Sequence, residues 1–398
     1  IAISARPEIL KPLSKRSLVN SAVSVPVETD KRWMRAAIAQ SRHAEGRTNS
    51  NPPVGCVILD KSGRLCASAH TGFGGVPHAE TQALDMAGKL AEGGTVYVTL
   101  EPCTHLGKTP PCIDALIAAG VSRIVVAVGD PDARVNGRGL EMARAAGIDI
   151  NLGIESAAAT AVLNGFLQRI SHGKPYVWLK TAASLDGGIA LSDGQKRWLT
   201  GVPMRHFVHE LRSRCDALLT GVGTILADDP KLTCRVPSEG SDSPVVFILD
   251  SHLRTPPNAR VFGMRQRTVT LLCTQLAPKD REAALQKAGA TVTALSVDSH
   301  GQLDLHAVLN HLGTIGINTI LVEAGTGVTT AMLTSGLVDK IYWTQSQHIL
   351  GADARPVVGA LKLEELPPQN RYTQLSSSSI GQDQLHVFVQ DVNQDKAG

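Results

Sequence analysis

Strand-length apolar runs alternate with helix-length segments along nearly the whole chain, and a Gly- and Pro-bearing break, Ser171-His-Gly-Lys-Pro175, divides that alternation in two. Such alternation specifies sheets covered by helices. The 398 residues exceed the roughly 150 of an ordinary domain, so the break reads as a domain boundary. In the first half a helix capped at Thr29 carries Trp33, Met34, Ala37 and Ile38 on one face. Val54–Leu59, the turn Asp60-Lys-Ser-Gly63 and a strand from Arg64 form a hairpin. Helices over 78–90, 112–119, 138–146 and 155–170, with strands over 95–99, 123–128 and 148–152, complete a mixed sheet with helices on both faces.

The second half opens with the strand Tyr176–Ala182. Further strands are expected at 217–220, 245–249, 269–273, 319–322, 340–344 and 385–389, with helices at 203–214, 280–288, 303–312 and 329–335. The serine run 376–379 reads as a loop. The expected layout is a leader over 1–28, a first domain over 29–172 and a second over 173–398. The leader carries Arg6, Lys11, Lys15 and Arg16 against one acid, Glu8, before Glu28, and it lacks the apolar core of a secretory signal; a disordered extension is the expectation.

Composition removes several classes of function. Hydrophobic residues at 43% and charged residues at 19% supply two cores and argue against disorder. A net charge of +3 and 4% aromatics make a poor nucleic-acid surface. No apolar run approaches the roughly 20 residues that cross a bilayer. Seven cysteines without framework spacing fit a reducing, cytoplasmic compartment, where a clustered pair is a metal candidate.

That cluster exists. His78 and Glu80 stand at the start of a helix in Pro77-His-Ala-Glu80, Cys103 follows a strand, and Cys112 opens another helix. One imidazole and two thiolates suit Zn²⁺, and three protein ligands leave a fourth position for water. Helix N-termini favour thiolate and bound hydroxide, while Glu80, two positions after the ligand, can address the water without coordinating the metal. This is the zinc-deaminase arrangement, in which acidified water attacks an amidine carbon and a non-ligand Glu moves the protons. The usual Cys-x-x-Cys spacing is absent: eight residues, Thr104 to Pro111, separate the cysteines. His105, Lys108 and Thr109 on that loop are placed to meet an anionic substrate. Two competing readings are ordinary core cysteines and a structural zinc with His105 as fourth ligand.

Asn51-Pro-Pro-Val-Gly55, His78-Ala-Glu80 and Glu101-Pro-Cys-Thr-His-Leu-Gly-Lys-Thr-Pro-Pro-Cys112 together resemble the RibD family of bifunctional riboflavin-biosynthesis proteins, whose pattern contains the eight-residue gap. The resemblance continues through Gly129-Asp-Pro131, Gly137-Arg-Gly139, Lys180-Thr-Ala-Ala-Ser-Leu-Asp-Gly187, Gly223-Thr-Ile-Leu-Ala-Asp-Asp-Pro230 and Val322-Glu-Ala-Gly-Thr-Gly327, covering everything from about residue 30. It implies a cytidine-deaminase-like α/β/α domain followed by a dihydrofolate-reductase-like α/β domain. The first would hydrolyse the 2-amino group of 2,5-diamino-6-ribosylamino-4(3H)-pyrimidinone 5′-phosphate, with Glu80 carrying protons and Asn51, His105, Lys108 and Thr109 holding the substrate. The second would use NADPH to reduce the ribosyl group to ribityl.

Read alone, Glu323-Ala-Gly-Thr-Gly-Val-Thr-Thr330 is a strand-to-helix turn able to receive a phosphate, or an ordinary helix cap. The resemblance implies that Ala182, Trp198, Thr224, Asp228, Ser251, Gly325, Thr326, Gly327, Val328, Thr329, Thr330 and Ala331 line the NADPH site. By the same match Arg212, Leu232, Arg235 and Glu323 contact substrate; for Arg212 a solvated face shared with Arg205 and Arg214 is the competing reading. Two positions depart from the family: Lys196 where a serine is usual, able to supply a charge to the phosphate, and Gly188 where a Lys or Arg is frequent. These leave open an active deaminase joined to a degenerate reductase. A nucleic-acid-editing deaminase and a non-catalytic zinc-stapled interaction protein are further rivals, the first opposed by charge and composition. The expected partner is a small phosphorylated pyrimidine, met by a homo-oligomer without nucleic acid or membrane.

Overall fold

The structure is a computed structural model, and it describes residues 27–105, 110–191, 198–235, 243–264, 267–361 and 371–391. The expected leader lies outside these residues except for Val27 and Glu28, which open the first helix. Helix α1 (Val27–Arg42) therefore starts two residues before the predicted Thr29 cap, with Glu28 and Asp30 in its first turn against the positive end of the helix dipole. The hairpin β1 (Gly55–Leu59) and β2 (Leu65–His70) follows, then α2 (Ala79–Ala87), β3 (Thr95–Leu100), α3 (Cys112–Ala118), β4 (Arg123–Val128), α4 (Arg138–Ala145), β5 (Asp149–Leu152) and α5 (Ser156–His172). The sheet order is β2-β1-β3-β4-β5, antiparallel around β1 and parallel from β3 to β5.

Alternation along β1 separates the two helix layers. A Cβ at Gly55 would lie 1.9 Å from the Ala37 carbonyl, so only glycine lets α1 press on this face. The next residue, Cys56, turns towards Glu80 of α2 on the other face. Helices α1 and α5 share the first face; α2 packs on β1 and β2 and meets α3, which meets α4.

Gly173 takes a left-handed φ of 72° after α5, and β6 (Tyr176–Ala183) begins the second sheet. Its elements are β7 (Gly188–Ala190), α6 (Val202–Ser213), β8 (Ala217–Gly221), α7 (Val222–Asp228), β9 (Val245–Leu249), β10 (Val269–Thr274), α8 (Lys279–Lys287), β11 (Thr291–Leu295), α9 (Leu305–Thr314), β12 (Thr319–Val322), α10 (Thr326–Thr334), β13 (Lys340–Gln345), β14 (Arg355–Pro356), β15 (Tyr372–Ile380) and β16 (Asp383–Gln390). Nine strands run in the order β11-β10-β9-β8-β12-β6-β13-β16-β15, parallel except at the last two. Successive residues feed opposite faces: Trp178, Leu218 and Leu321 enter one apolar cluster, while Val177, Leu179, Leu219, Ile320 and Val322 enter the other. A sheet covered on both sides needs such continuous apolar strands. Strands β7, β11 and β14 and helix α7 were not predicted. The serine run 376–379 is not a loop: it lies in edge strand β15, which is exposed on both faces from Thr373 to Ser379 and needs no apolar residue there.

In the first domain the Asp30 carboxylate, buried in α1, accepts two bonds from Arg123 of β4 (2.8 and 2.8 Å) and one from Tyr97 of β3 (2.8 Å). Burial works to raise this carboxyl, and the bonds from Arg123 and Tyr97 outweigh it and hold it below its ordinary value. Replacing Asp30 by Ala leaves the buried Arg123 guanidinium with only the exposed Asp149 carboxylate (3.2 Å) and is expected to cost about 3 kcal/mol of stability in urea unfolding. Because the folded carboxyl titrates below the unfolded one, this contribution is present above about pH 4 and lost as pH falls through the folded value. The Asp30→Ala variant is therefore expected to show a shallower acid loss of stability than the parent.

Candidate active sites

The first site forms where α2, α3 and the end of β3 meet. His78 is the N-cap of α2 and Cys112 the first residue of α3, with Cys103 three residues beyond β3. His78 Nδ1 lies 3.2 Å from Cys112 Sγ and 3.6 Å from Cys103 Sγ, and the Cys112 backbone N–H donates to Cys103 Sγ at 3.4 Å. The three donor atoms lie within 4.8 Å of one another. This fits zinc: a ring nitrogen aimed between two sulfurs, with no fourth protein donor joining the cluster among the described residues. The two sulfurs are near enough for each to act on the other's ionisation. A bond from the Cys112 thiol drives the Cys103 thiol down to about 4, while Cys112 is pushed up. A dication would relieve that competition.

Glu80 sits in the first turn of α2 and is buried. Burial, and after it the Cys103 thiolate, push its carboxyl up to about 7. His105 does not join the cluster. Its buried Nδ1 has no hydrogen-bond partner among the described residues, while Arg134 nearby bonds the Asp132 carboxyl and holds it at about 2. Asn51 Nδ2 donates to the Gly75 carbonyl at 2.8 Å, three residues before His78. Lys108 and Thr109 lie outside the described residues. Sequence reasoning gave no role to Glu101, although its place directly before Pro102-Cys103 at a strand end was visible. Its buried carboxylate accepts backbone N–H bonds from Asp130 (3.3 Å), Gly137 (3.1 Å) and Gly139 (3.2 Å), fastening that loop beside Cys103.

The second site is a cleft of about 2070 Å³ at the carboxyl ends of the parallel strands. Ala182, Trp198, Thr224, Asp228, Ser251, Gly325, Thr326, Gly327, Val328, Thr329 and Ala331 line it, as do Arg212, Leu232, Arg235 and Glu323. Thr330 is turned away, its hydroxyl donating to the Thr326 carbonyl and accepting from the Gly359 N–H. Gly325 caps α10, which starts three residues before the predicted helix and so places its free N–H groups at the glycine turn. Trp198 is 76% exposed, with Arg205 over its ring at 4.8 Å. Arg212 is not on a solvated face: it makes a two-pronged ion pair with Glu323 (2.6 and 2.8 Å) and donates to the Thr233 carbonyl.

Several features of the cleft escaped the sequence. Lys180 projects from the otherwise apolar β6, and a lone lysine there was the available signal. Burial pulls its ammonium down, opposed by Glu323 and aided by Arg212. His209 is driven to about 4 by burial and by Arg212 and Arg235. Its Nδ1 and Thr181 Oγ1, both on the lining, are buried without partners, as expected where a polar ligand belongs. Asp229 and Leu232 both hold left-handed φ (43° and 51°), a strain that no pattern reveals. Gly188 sits in a close-packed spot: a Cβ there would lie 3.0 Å from the side chains of Ala354 and Leu350, which would have to give way to a larger residue. Lys196 lies outside the described residues.

The family described as the cytidine and deoxycytidylate deaminase zinc-binding region matches residues 27–128, and that described as the RibD C-terminal domain matches 175–386. The chain is 38% identical to riboflavin biosynthesis protein RibD of Escherichia coli K12 over 359 residues, covering 87% of this chain and 96% of the relative. It is 35% identical to RibD of Aquifex aeolicus, covering 91% and 98%. The structure of Acinetobacter baumannii RibD superposes with a TM-score of 0.82 at 34% identity, covering 92% of this chain and all of that one. The Thermotoga maritima diaminohydroxyphosphoribosylaminopyrimidine deaminase/5-amino-6-(5-phosphoribosylamino)uracil reductase gives 0.80 at 31% identity, covering 92% and 99%. The cytidine-deaminase-like domain followed by a dihydrofolate-reductase-like domain is thus a shared architecture, and this chain belongs to the RibD family of zinc- and NADPH-dependent deaminase–reductases of riboflavin biosynthesis.

Proposed function

We propose that residues 29–172 deaminate and residues 173–398 reduce, with the convergence of His78, Cys103 and Cys112 beside a buried Glu80 as the observation that carries the reading. Zinc, when bound, makes water acidic at neutral pH. His78, Cys103 and Cys112 hold it, and Glu80 supplies the base. Its carboxylate takes a proton from water as the oxygen adds to C2 of the pyrimidine, passes that proton to the ring nitrogen, and helps ammonia leave. A carboxyl near neutrality can both take and give a proton. Asn51, His105, Lys108 and Thr109 bind the pyrimidine, ribose or phosphate. The unsatisfied His105 Nδ1 supports a polar ligand there, and its place outside the His78–Cys103–Cys112 cluster opposes a structural fourth-ligand role.

In the second domain NADPH, when bound, supplies a hydride for the ribosyl carbon. Gly325 to Val328, at the start of α10, present free backbone N–H groups to its phosphates, and Thr329 and Ala331 line the cleft beside them. Arg235 and Lys196 add positive charge for the substrate phosphate. The Arg212–Glu323 pair fixes two charged groups on the cleft wall, and Lys180 stands on the same wall, where burial pulls its ammonium down and Glu323 opposes that. The occupied lining positions favour an active reductase over the degenerate alternative. No disulfide joins any of the seven cysteines, all of them among the described residues, which supports a cytoplasmic site of action, and the exposed edge strand β15 supports a homo-oligomer. No helix among the described residues is long and apolar enough to cross a membrane.

Three outcomes test this. Elemental analysis is expected to find one zinc per chain, falling below about a tenth in Cys112→Ala. Glu80→Gln keeps its zinc and loses ammonia release by roughly a thousandfold, whereas a zinc-stapled interaction protein would show no change in any assay. Supplied with the deaminated intermediate and NADPH, the parent and Glu80→Gln form the ribityl product at equal rates; no product from either would leave the deaminase alone standing.

A further inference from the structure

We infer that Asn318, a residue of the reductase domain, is a positioning residue for deamination: it clasps the 49–51 loop that carries Asn51 and supports the zinc-ligand segment. This rests on the deaminase reading above.

Asn318 precedes β12 and is 4% exposed. Its amide Nδ2 donates to the carbonyls of Asn49 (2.9 Å) and Asn51 (3.2 Å) in the first domain. Its Oδ1 accepts from Arg169 Nε at 2.6 Å, and the same guanidinium donates through Nη2 to the Ser50 carbonyl at 2.6 Å. Three consecutive carbonyls of one loop are thereby held by two side chains. The clasp has its own foundation: Asp216 Oδ2 accepts the backbone N–H of Asn318 (2.9 Å) and of Thr319 (2.8 Å). Gly316, at φ +91°, lies so close to the same loop that a Cβ would stand 2.9 Å from Ser50 Cβ. From the clasped loop the network runs towards the metal cluster. Asn51 Nδ2 donates to Gly75, the Gly74 N–H donates to the Arg47 carbonyl at 2.8 Å, and His78 follows three residues after Gly75.

Loop backbone alone has few ways to fix a substrate-binding side chain, because its carbonyls would otherwise face water and sample many orientations. A buried amide with both donors used removes that freedom at one point. The far end of β12 leads directly into Glu323 and the Gly325 turn, so one strand carries the clasp at its amino end and reductase residues at its carboxyl end. The reductase domain thus completes the deaminase site from behind.

The test uses the full-length zinc protein and compares Asn318→Ala with Asn318→Asp. Asn318→Ala is expected to raise the deaminase KM roughly tenfold with a smaller change in kcat. Zinc content and reduction of supplied intermediate should stay within about twofold of the parent. Asn318→Asp keeps the acceptor for Arg169 but turns a carboxylate on the Asn49 and Asn51 carbonyls, so its KM should rise at least as far. In an Asn51→Ala background the Asn318→Ala change is expected to add less than about twofold, because both act through one contact. Parent-like deaminase KM in Asn318→Ala, or equal loss of both activities, overturns the proposal. A parent protein that holds zinc yet releases no ammonia overturns the deaminase reading itself, and the clasp's role with it.

Discussion

Two helix starts and one strand end are forced together by the first sheet, and the chemistry of that domain depends on the meeting. β1 takes its place between β2 and β3 with α1 pressed on Gly55 and α2 on the opposite face, which leaves His78 and Cys112 opening α2 and α3 at the same edge. Free N–H groups at each helix start favour negative charge on sulfur and oxygen. Without a cation Cys103 is held low and Cys112 high, each by the other's sulfur, and burial raises the Glu80 carboxyl. A dication converts this costly set of desolvated groups into a satisfied one.

Much of this was legible in the chain. Residue types and spacing picked out His78, Cys103 and Cys112 before any geometry, because metal chemistry restricts both, and the structure brings the three together. Strands with continuous apolar runs were found at the right places, since a parallel sheet buried on both faces leaves no other pattern. The serine-rich β15 was missed for the converse reason. An edge strand with a solvated face carries no apolar signal, and only its pairing with β16 makes it a strand. Short α7 and two-residue β14 were beyond any periodicity argument. Thr330 sat in a run of matching residues, yet helical geometry turns it from the cleft, because a helix cannot present every residue to one side.

What no one-dimensional reading could supply was partnership over long separations. Arg212 and Glu323 lie on different elements far apart in sequence, and their ion pair changes each from a free charge into one half of a fixed dipole. Glu101 was a bystander in its motif until three distant N–H groups turned out to converge on it. Glu45 and Arg214 likewise join the two domains at 2.9 Å although neither belongs to a recognisable motif. The domains are therefore more than two enzymes on one chain, because the loop bearing Asn51 takes its anchor from the other domain's sheet.

The most direct measurement is X-ray absorption at the zinc edge of the zinc-loaded, full-length protein. One nitrogen and two sulfur donors, the sulfurs at about 2.3 Å, with a single light donor exchangeable with solvent, is the expected shell. A third sulfur, a second imidazole, or a shell made only of light donors would contradict it.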